Sequence, residues 1–116
     1  MRRLESRTLG IDQGSLLLFS DFKDGGEMWT GAGARELQRD IAFSEPFVAP
    51  PNVQVSLSMW DIDSAANIRA DISSAAVSER GFTIVFRTWG DTRIARVRAD
   101  WLALGPLSDD DLWDVP

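Results

Sequence analysis

Hydrophobic and polar residues alternate with a period of two along most of the chain. The clearest example is Val53–Met59, where apolar side chains at odd positions alternate with Gln54, Ser56 and Ser58. This alternation is typical of a β-strand that buries one face. Comparable patterns predict five further strands, over residues 16–19, 36–43, 68–73, 82–87 and 95–103.

Glycine and proline separate these segments, and Gly90-Asp91 predicts a tight turn between the last two strands. No long segment shows a 3.6-residue period, and only Ser64–Asn67 is compatible with a helical turn. The sequence therefore predicts an all-β fold, a six-stranded antiparallel β-sandwich. Trp101 is in phase with the apolar residues of the last strand, so we expect it in the core.

The chain divides into a sandwich and two short flanking segments. We expect residues 1–6 to form an N-terminal extension, residues 7–105 the sandwich, and residues 106–116 an acidic C-terminal tail. That tail is expected outside the core because Asp109, Asp110 and Asp111 are consecutive and burial of adjacent like charges is unfavourable.

Charge and missing residue types exclude several classes of function. The chain has 116 residues and a net charge of -6, which disfavours nucleic acid and anionic membrane surfaces as partners. Cysteine and histidine are absent, so disulfides and Ser-His-Asp or Cys-His catalysis are excluded within this chain. We expect no enzyme activity, no cofactor and no bound metal.

No signal peptide or membrane-spanning segment is visible. The apolar run Leu16–Phe19 is only four residues long, well short of either kind of segment. We therefore expect no membrane insertion, and a location either in the cytoplasm or outside the cell by a route other than general export.

Two motifs with possible chemistry are weak. Gly31-Ala32-Gly33 has Glu36 where a dinucleotide-binding loop has its third glycine. Asp61-x-Asp63 would begin a calcium loop, but alanines follow where a ligand and a glycine are needed. The same two aspartates could act as the carboxylates of a glycosidase, but nothing in this turn suggests a buried acid. A solvated Asx turn is therefore the better interpretation of Asp61-x-Asp63.

Tryptophan supplies the stronger signal for binding. Trp29, Trp60 and Trp89 lie in loops or out of phase with a core face, where an exposed indole favours a ligand, a subunit interface or packing under the loop. A sugar suits such a site because its C–H face stacks on indole while charged groups bond its hydroxyls. Arg69 is the candidate donor; the alternative is a solvated arginine opposite Asp71 or Asp100.

Several short motifs occur in an order that resembles the H-type lectin domain of snail agglutinins and discoidins. They are Arg35-Glu36-Leu37, Ile41-Ala42-Phe43, Pro46-Phe47, Pro50-Pro51, Val53–Leu57, Asp61, Asn67-Ile68-Arg69, Gly81-Phe82, Thr88-Trp89 and Trp101-Leu102-Ala103. The resemblance covers residues 7–105. It implies a trimer of β-sandwiches that binds galactose or N-acetylgalactosamine in clefts between protomers without a metal, with a role in cell adhesion.

The resemblance places Arg69 at the family's sugar-binding arginine and Trp89 at its sugar-packing tryptophan. Ala32 occupies the position of a family aspartate that binds sugar hydroxyls, and Gly90 that of a histidine in agglutinins. Asp91, which follows Gly90, is a candidate replacement acceptor; Glu27 or a carbonyl of the Gly31–Gly33 loop are others. We expect the site to form across a protomer boundary.

The departures at Ala32 and Gly90 leave a second hypothesis open. In that hypothesis the chain is a structural or assembly module, part of a phage-like particle or larger complex, with the same fold and a degenerate sugar site.

Overall fold

The computed structural model of the chain describes residues 1–109. Within that range the chain forms two three-stranded antiparallel sheets, ordered β1-β6-β3 and β2-β5-β4. The elements are β1 (Leu9–Ser20), α1 (Glu27–Thr30), β2 (Arg35–Ala42), β3 (Asn52–Ile62), β4 (Asp71–Ala75), β5 (Gly81–Thr88) and β6 (Ile94–Pro106). The predicted all-β antiparallel sandwich of six strands is confirmed.

Apolar side chains from the two sheets form a single core between them. Phe82, Ile84 and Phe86 alternate along β5 and are almost completely buried, as are Val97 and Ala99 along β6. Because consecutive strand residues point to opposite faces, these positions lie on the inner faces of the two sheets. The period-two pattern therefore identified the core-facing residues of both central strands.

Trp101 fills the end of this core, as expected. Its ring lies 5.4 Å from the ring of Phe82 and 6.0 Å from that of Phe43, measured between centroids. A glycine on β1 makes room for it, since a Cβ atom added to Gly14 would stand 2.6 Å from the indole Nε1. Glycine is thus required at position 14 because a Cβ atom would collide with the indole, and not because of its backbone conformation.

The first strand is longer than predicted. Only Leu16–Phe19 was expected in a strand, whereas β1 begins at Leu9 and pairs with β6 from there. Three alternate positions, Gly10, Asp12 and Gly14, are less exposed than their neighbours but carry no apolar side chain. Residues 9–15 therefore lack the apolar alternation that predicts a strand, although their backbone pairs with β6.

Two local predictions were also wrong. The strand expected over residues 68–73 begins only at Asp71 in the structure, and the single helix described, α1, was not predicted. Ser64 and Ala65 form a turn without becoming helical. Within residues 1–109, no helix has the length and apolar character needed to cross a bilayer.

The division of the chain at residue 105 stays a prediction. Strand β6 includes Pro106, and Leu107 packs against the core while its N–H donates to the Thr8 carbonyl at 2.9 Å. Thr8 also donates its hydroxyl hydrogen to Asp109 at 2.5 Å. The rest of the acidic tail, residues 110–116, lies outside the described residues.

Candidate functional site

The loop that joins β5 to β6, residues 89–93, carries three of the four predicted site residues. Gly90 and Asp91 form the turn that the sequence predicts. Gly90 has φ +70°, a left-handed conformation that glycine adopts without steric cost. Trp89 precedes this turn, and the residue remains 45% exposed. The loop thus presents an indole to solvent beside a sharply turned backbone.

Threonine hydroxyls hold the segment that contains Arg69 against this loop. The completely buried Thr92 hydroxyl donates to the Asn67 carbonyl at 2.6 Å and accepts the Arg69 N–H at 3.0 Å. The Thr88 hydroxyl donates to the Arg69 carbonyl at 2.6 Å. These side-chain bonds satisfy backbone groups of residues 67–69, which explains why this apolar-polar alternation does not form a strand.

Arg69 forms an ion pair with Asp91 across the loop. The distance from Arg69 Nη1 to Asp91 Oδ1 is 2.7 Å, and the two side chains are 35% and 56% exposed. The alternative partners considered from sequence were Asp71 and Asp100; Asp71 instead lies 3.9 Å from Arg87. The guanidinium also lies against Gly90. A Cβ atom added to this glycine would stand only 3.0 Å from Arg69 Nη1.

Asp91 is held in its charged form by its neighbours. Partial removal from water raises the pKa of its carboxyl, but hydrogen bonds from the Asn67 backbone, Arg69 and the Asn67 side chain outweigh that effect. The net result is a pKa below the ordinary value. The carboxylate therefore acts on Arg69 as a fixed negative charge throughout the neutral range.

A buried arginine connects the glycine-rich loop to the same turn. Arg35 is only 4% exposed and donates to the carbonyls of Gly33 (3.0 Å), Met28 (3.2 Å) and Gly90 (3.4 Å). The Gly33 N–H also donates to the Gly90 carbonyl at 2.8 Å. The segment with Ala32 is thereby tied to the turn within one protomer.

The structure brings Arg69, Gly90 and Asp91 into one cluster, with Trp89 next to Gly90 in the chain. Arg69 meets the loop within a single protomer, so no second copy is needed to bring the arginine to the turn. Sequence reasoning missed Thr92 and the roles of Arg35 and Asn67. Nothing in the residue pattern distinguished Thr92 from a surface threonine.

The two aspartates considered for metal binding or catalysis are engaged in other contacts. Asp61 lies 3.4 Å from Arg96, and Asp63 lies 3.5 Å from Arg93. Asp63 also accepts the Ala65 N–H at 2.9 Å, which is the predicted Asx turn. Among residues 1–109, no group of three or more acidic side chains is arranged to hold a metal ion.

Comparison with known proteins extends these observations. The family model of the H-type lectin domain matches residues 38–104, more than half of the chain. A Fuscovulum blasticum protein named "ATP synthase subunits region ORF 7" is 57% identical over 108 residues, which are 93% of this chain and 94% of that protein.

Discoidins of Dictyostelium discoideum are similar in both sequence and fold. One discoidin-1 polypeptide is 31% identical over 75 residues, which are 64% of this chain and 30% of the discoidin. The crystal structure of discoidin II superposes with a TM-score of 0.74 at 19% identity, covering 90% of this chain and 40% of that one. The chain thus corresponds to less than half the length of a discoidin. With the family model, these matches show that the chain belongs to the H-type lectin domain family.

Proposed function

We propose that the chain is a non-catalytic carbohydrate-binding module that takes galactose or N-acetylgalactosamine-type sugars at Arg69 and Trp89. The observation that carries the proposal is the arrangement of Arg69 around the β5–β6 turn. Its guanidinium is partly exposed and lies against Gly90, the residue that follows the exposed Trp89 in the chain. Family membership supports the carbohydrate-binding fold.

The chemistry of this cluster suits a pyranose. Arginine has five N–H donors in a fixed plane, and Asp91 accepts from one of its terminal nitrogens at 2.7 Å. Neighbouring sugar hydroxyls can accept from the rest of that fork, while the C–H face of the ring packs on Trp89. Asp91 completes the site by holding the guanidinium in place, and Gly90 by having no side chain that would crowd it.

The site is expected to work as part of a homotrimer. The outer face of the β1-β6-β3 sheet supports assembly because it exposes Ile11 (66%), Leu17 (48%) and Leu102 (39%). Contact between copies would remove these side chains from water. Several weak sites on one assembly also raise avidity for multivalent glycans by roughly 10²- to 10⁴-fold.

Substitution of Arg69 tests the proposal. Arg69→Ala should lower affinity for the bound sugar by about 10- to 150-fold, because charge-assisted hydrogen bonds contribute about 1.5–3 kcal/mol. Arg69→Lys should not restore binding, since an ammonium lacks the planar fork. A glycan array followed by titration calorimetry supplies the measurement, with light scattering to establish the oligomeric state.

Arg80→Ala is the matched control. Arg80 is exposed and precedes β5, whereas the proposed site follows that strand. The eight residues of β5 place Arg80 roughly 26 Å from the Thr88 end of the strand, where the Thr88 hydroxyl donates to the Arg69 carbonyl. Equal glycan affinity of Arg69→Ala, Arg80→Ala and the wild type would exclude Arg69 as a sugar ligand.

The second candidate function is an assembly module on the same fold. Its support is the Fuscovulum blasticum relative, whose name refers to a region of ATP synthase subunits and which matches along nearly its whole length. The alanine at position 32, where the family resemblance implies an acceptor, agrees with a degenerate sugar site. A correctly assembled protein that binds no glycan on a multivalent array would favour this function over the lectin.

A further inference from the structure

A second cleft lies beside the Arg93 end of the loop that carries the proposed sugar site, since Arg93 contacts Trp29 and Asp63, which line the cleft. It has a volume of about 500 Å³ and is lined by Phe22, Lys23, Trp29, Asp61, Asp63 and Arg96, among others. We call it the Trp29 cleft. Its aromatic wall comes from the connection between β1 and β2, and its acidic wall from the end of β3 and the residue after it.

The aromatic wall is held in a fixed position. The rings of Phe22 and Trp29 meet edge to face, with centroids 4.9 Å apart at 73°. The Arg93 guanidinium stands 4.2 Å from the centroid of the Trp29 ring and donates to the Trp29 carbonyl at 3.0 Å. Phe22 nevertheless remains 57% exposed. A positioned but solvated aromatic surface favours a ligand with an apolar face.

The polar groups of the cleft are balanced in charge. Lys23 and Arg96 contribute positive charge, and Asp61 and Asp63 contribute negative charge. Asp61 and Arg96 are 3.4 Å apart and each is 57% exposed, so both retain access to solvent. An anion or a cation would meet like charge here, whereas a neutral polyhydroxyl ligand can donate to the carboxylates and accept from the cations.

The cleft and the proposed sugar site both adjoin the β5–β6 loop, the cleft at Arg93 and the site at Gly90 and Asp91. Trp89 and Arg93 are four residues apart, so their Cα atoms are separated by at most about 15 Å. Arg35 strengthens this connection, since it donates to the carbonyls of both Met28, beside Trp29, and Gly90. An oligosaccharide of several sugars that is held at Arg69 therefore has the length to span the distance to the Trp29 cleft.

We propose that the Trp29 cleft is a second saccharide subsite, which binds a further uncharged pyranose of a glycan whose terminal sugar is held at Arg69. The inference rests on the proposed function for the terminal sugar. The aromatic wall supplies a surface for the C–H face of the ring, and the paired charges supply acceptors and donors for its hydroxyls.

Fluorine NMR of protein labelled with 5-fluorotryptophan can test both sites separately. The chain has five tryptophans, and Trp→Phe variants assign each signal. The titrants are galactose, N-acetylgalactosamine and galactose-terminated oligosaccharides of two to five sugars. We expect the monosaccharides to shift the Trp89 signal alone and the longer members of the series to shift the Trp29 signal as well.

The possible results separate the two proposals. If every saccharide that shifts Trp89 leaves Trp29 unchanged, the second subsite is excluded and the proposed function stands. If Trp29 responds while Trp89 does not, the cleft binds saccharide by itself, which counts against the terminal-sugar site at Arg69 and Trp89 and overturns the cleft as an extension of that site. If neither signal responds to any titrant, both proposals are overturned.

An affinity comparison provides an independent check. Phe22→Ala should weaken binding of the longest effective oligosaccharide by about 2- to 12-fold, the loss expected for one aromatic packing contact, and leave monosaccharide affinity unchanged. Val48→Ala is the control, because Val48 is also 57% exposed but lies outside the cleft. Equal oligosaccharide affinity of the two variants would overturn the proposal.

Discussion

Removal of the Thr92 hydroxyl should destabilise the domain more than removal of any surface hydroxyl. Thr92 is fully buried, and its hydroxyl makes two hydrogen bonds, to the Asn67 carbonyl and from the Arg69 N–H. Thr92→Val keeps the shape of the side chain but leaves both backbone groups without this partner. At about 1 kcal/mol for each part-buried hydrogen bond, the expected loss in free energy of unfolding is about 2 kcal/mol.

Two further threonines give a graded comparison. Thr88→Val removes one hydrogen bond, to the Arg69 carbonyl, and should lower the free energy of unfolding by about 1 kcal/mol. Thr83→Val removes a bond to Asp40 in an exposed setting and should cost less, about 0.5 kcal/mol. All three residues are β-branched before and after substitution, so strand propensity changes little.

Thermal unfolding by circular dichroism, at one fixed protein concentration, measures this series. One kcal/mol corresponds to about 4 °C in Tm for a domain of this size, so Thr92→Val should lower Tm by about 8 °C. The order of destabilisation should be Thr92, then Thr88, then Thr83. A Thr92→Val protein no less stable than Thr83→Val would refute the role assigned to the threonine hydroxyls.

Three other predictions concern the same loop. The folded-state pKa of Asp91 lies below its ordinary value of 3.8, so its contribution to stability is complete above that pH and is lost as pH falls through the folded pKa. Asp91→Asn should therefore have a lower Tm than the wild type at pH 7, with a difference that shrinks below pH 4; a difference that grows on acidification would contradict this. Arg35→Met should lower the free energy of unfolding by roughly 2–4 kcal/mol, because three carbonyls lose a buried charged donor; urea unfolding measures the loss, and a change below 1 kcal/mol would count against it. Gly90→Ala and Gly25→Ala should both destabilise the fold, since both glycines have positive φ, but only the former should weaken glycan binding. The reason is that the added methyl approaches the Arg69 guanidinium at position 90 and meets nothing within 4 Å at position 25; calorimetry of both variants with the bound sugar checks the difference.

Period-two alternation was sufficient to find most of the sandwich because its inner faces are built from apolar side chains. Val53–Met59 and residues 82–87 were identified for this reason, and the turn at Gly90-Asp91 followed from its residue types. The length of β1 was underestimated because its first half pairs with β6 through the backbone while its inward positions are glycine and aspartate. Backbone hydrogen bonding cannot be recognised from the hydropathy pattern when the inward positions of a strand are small or polar.

The contacts that build the candidate site could not be predicted from the sequence. Family resemblance singled out Arg69 and Trp89, whose roles in binding stay predictions, and the structure shows which contacts hold Arg69 at the β5–β6 turn. The alternation around Ile68 and Ala70 predicted a strand, but the hydroxyls of Thr88 and Thr92 bind that backbone instead. Such contacts join residues about 20 positions apart, so they depend on the completed fold and not on local pattern.

The geometry of Asp91 bears on where the sugar finds its hydrogen-bond acceptors. One carboxylate oxygen accepts from Arg69 Nη1 and the Asn67 amide, and the other accepts from the Asn67 amide and backbone N–H. A carboxylate has about four acceptor positions, so those of Asp91 are largely used within the loop. Its main role is then to orient Arg69, and sugar hydroxyls need acceptors from another source. Ala32 has none in its side chain, which leaves Glu27, backbone carbonyls and an adjoining protomer, and in the proposed trimer we expect the adjoining protomer to supply them. Within the proposed trimer, sugar affinity should therefore fall when dilution separates the protomers, even though Arg69 and its supporting threonines belong to one chain.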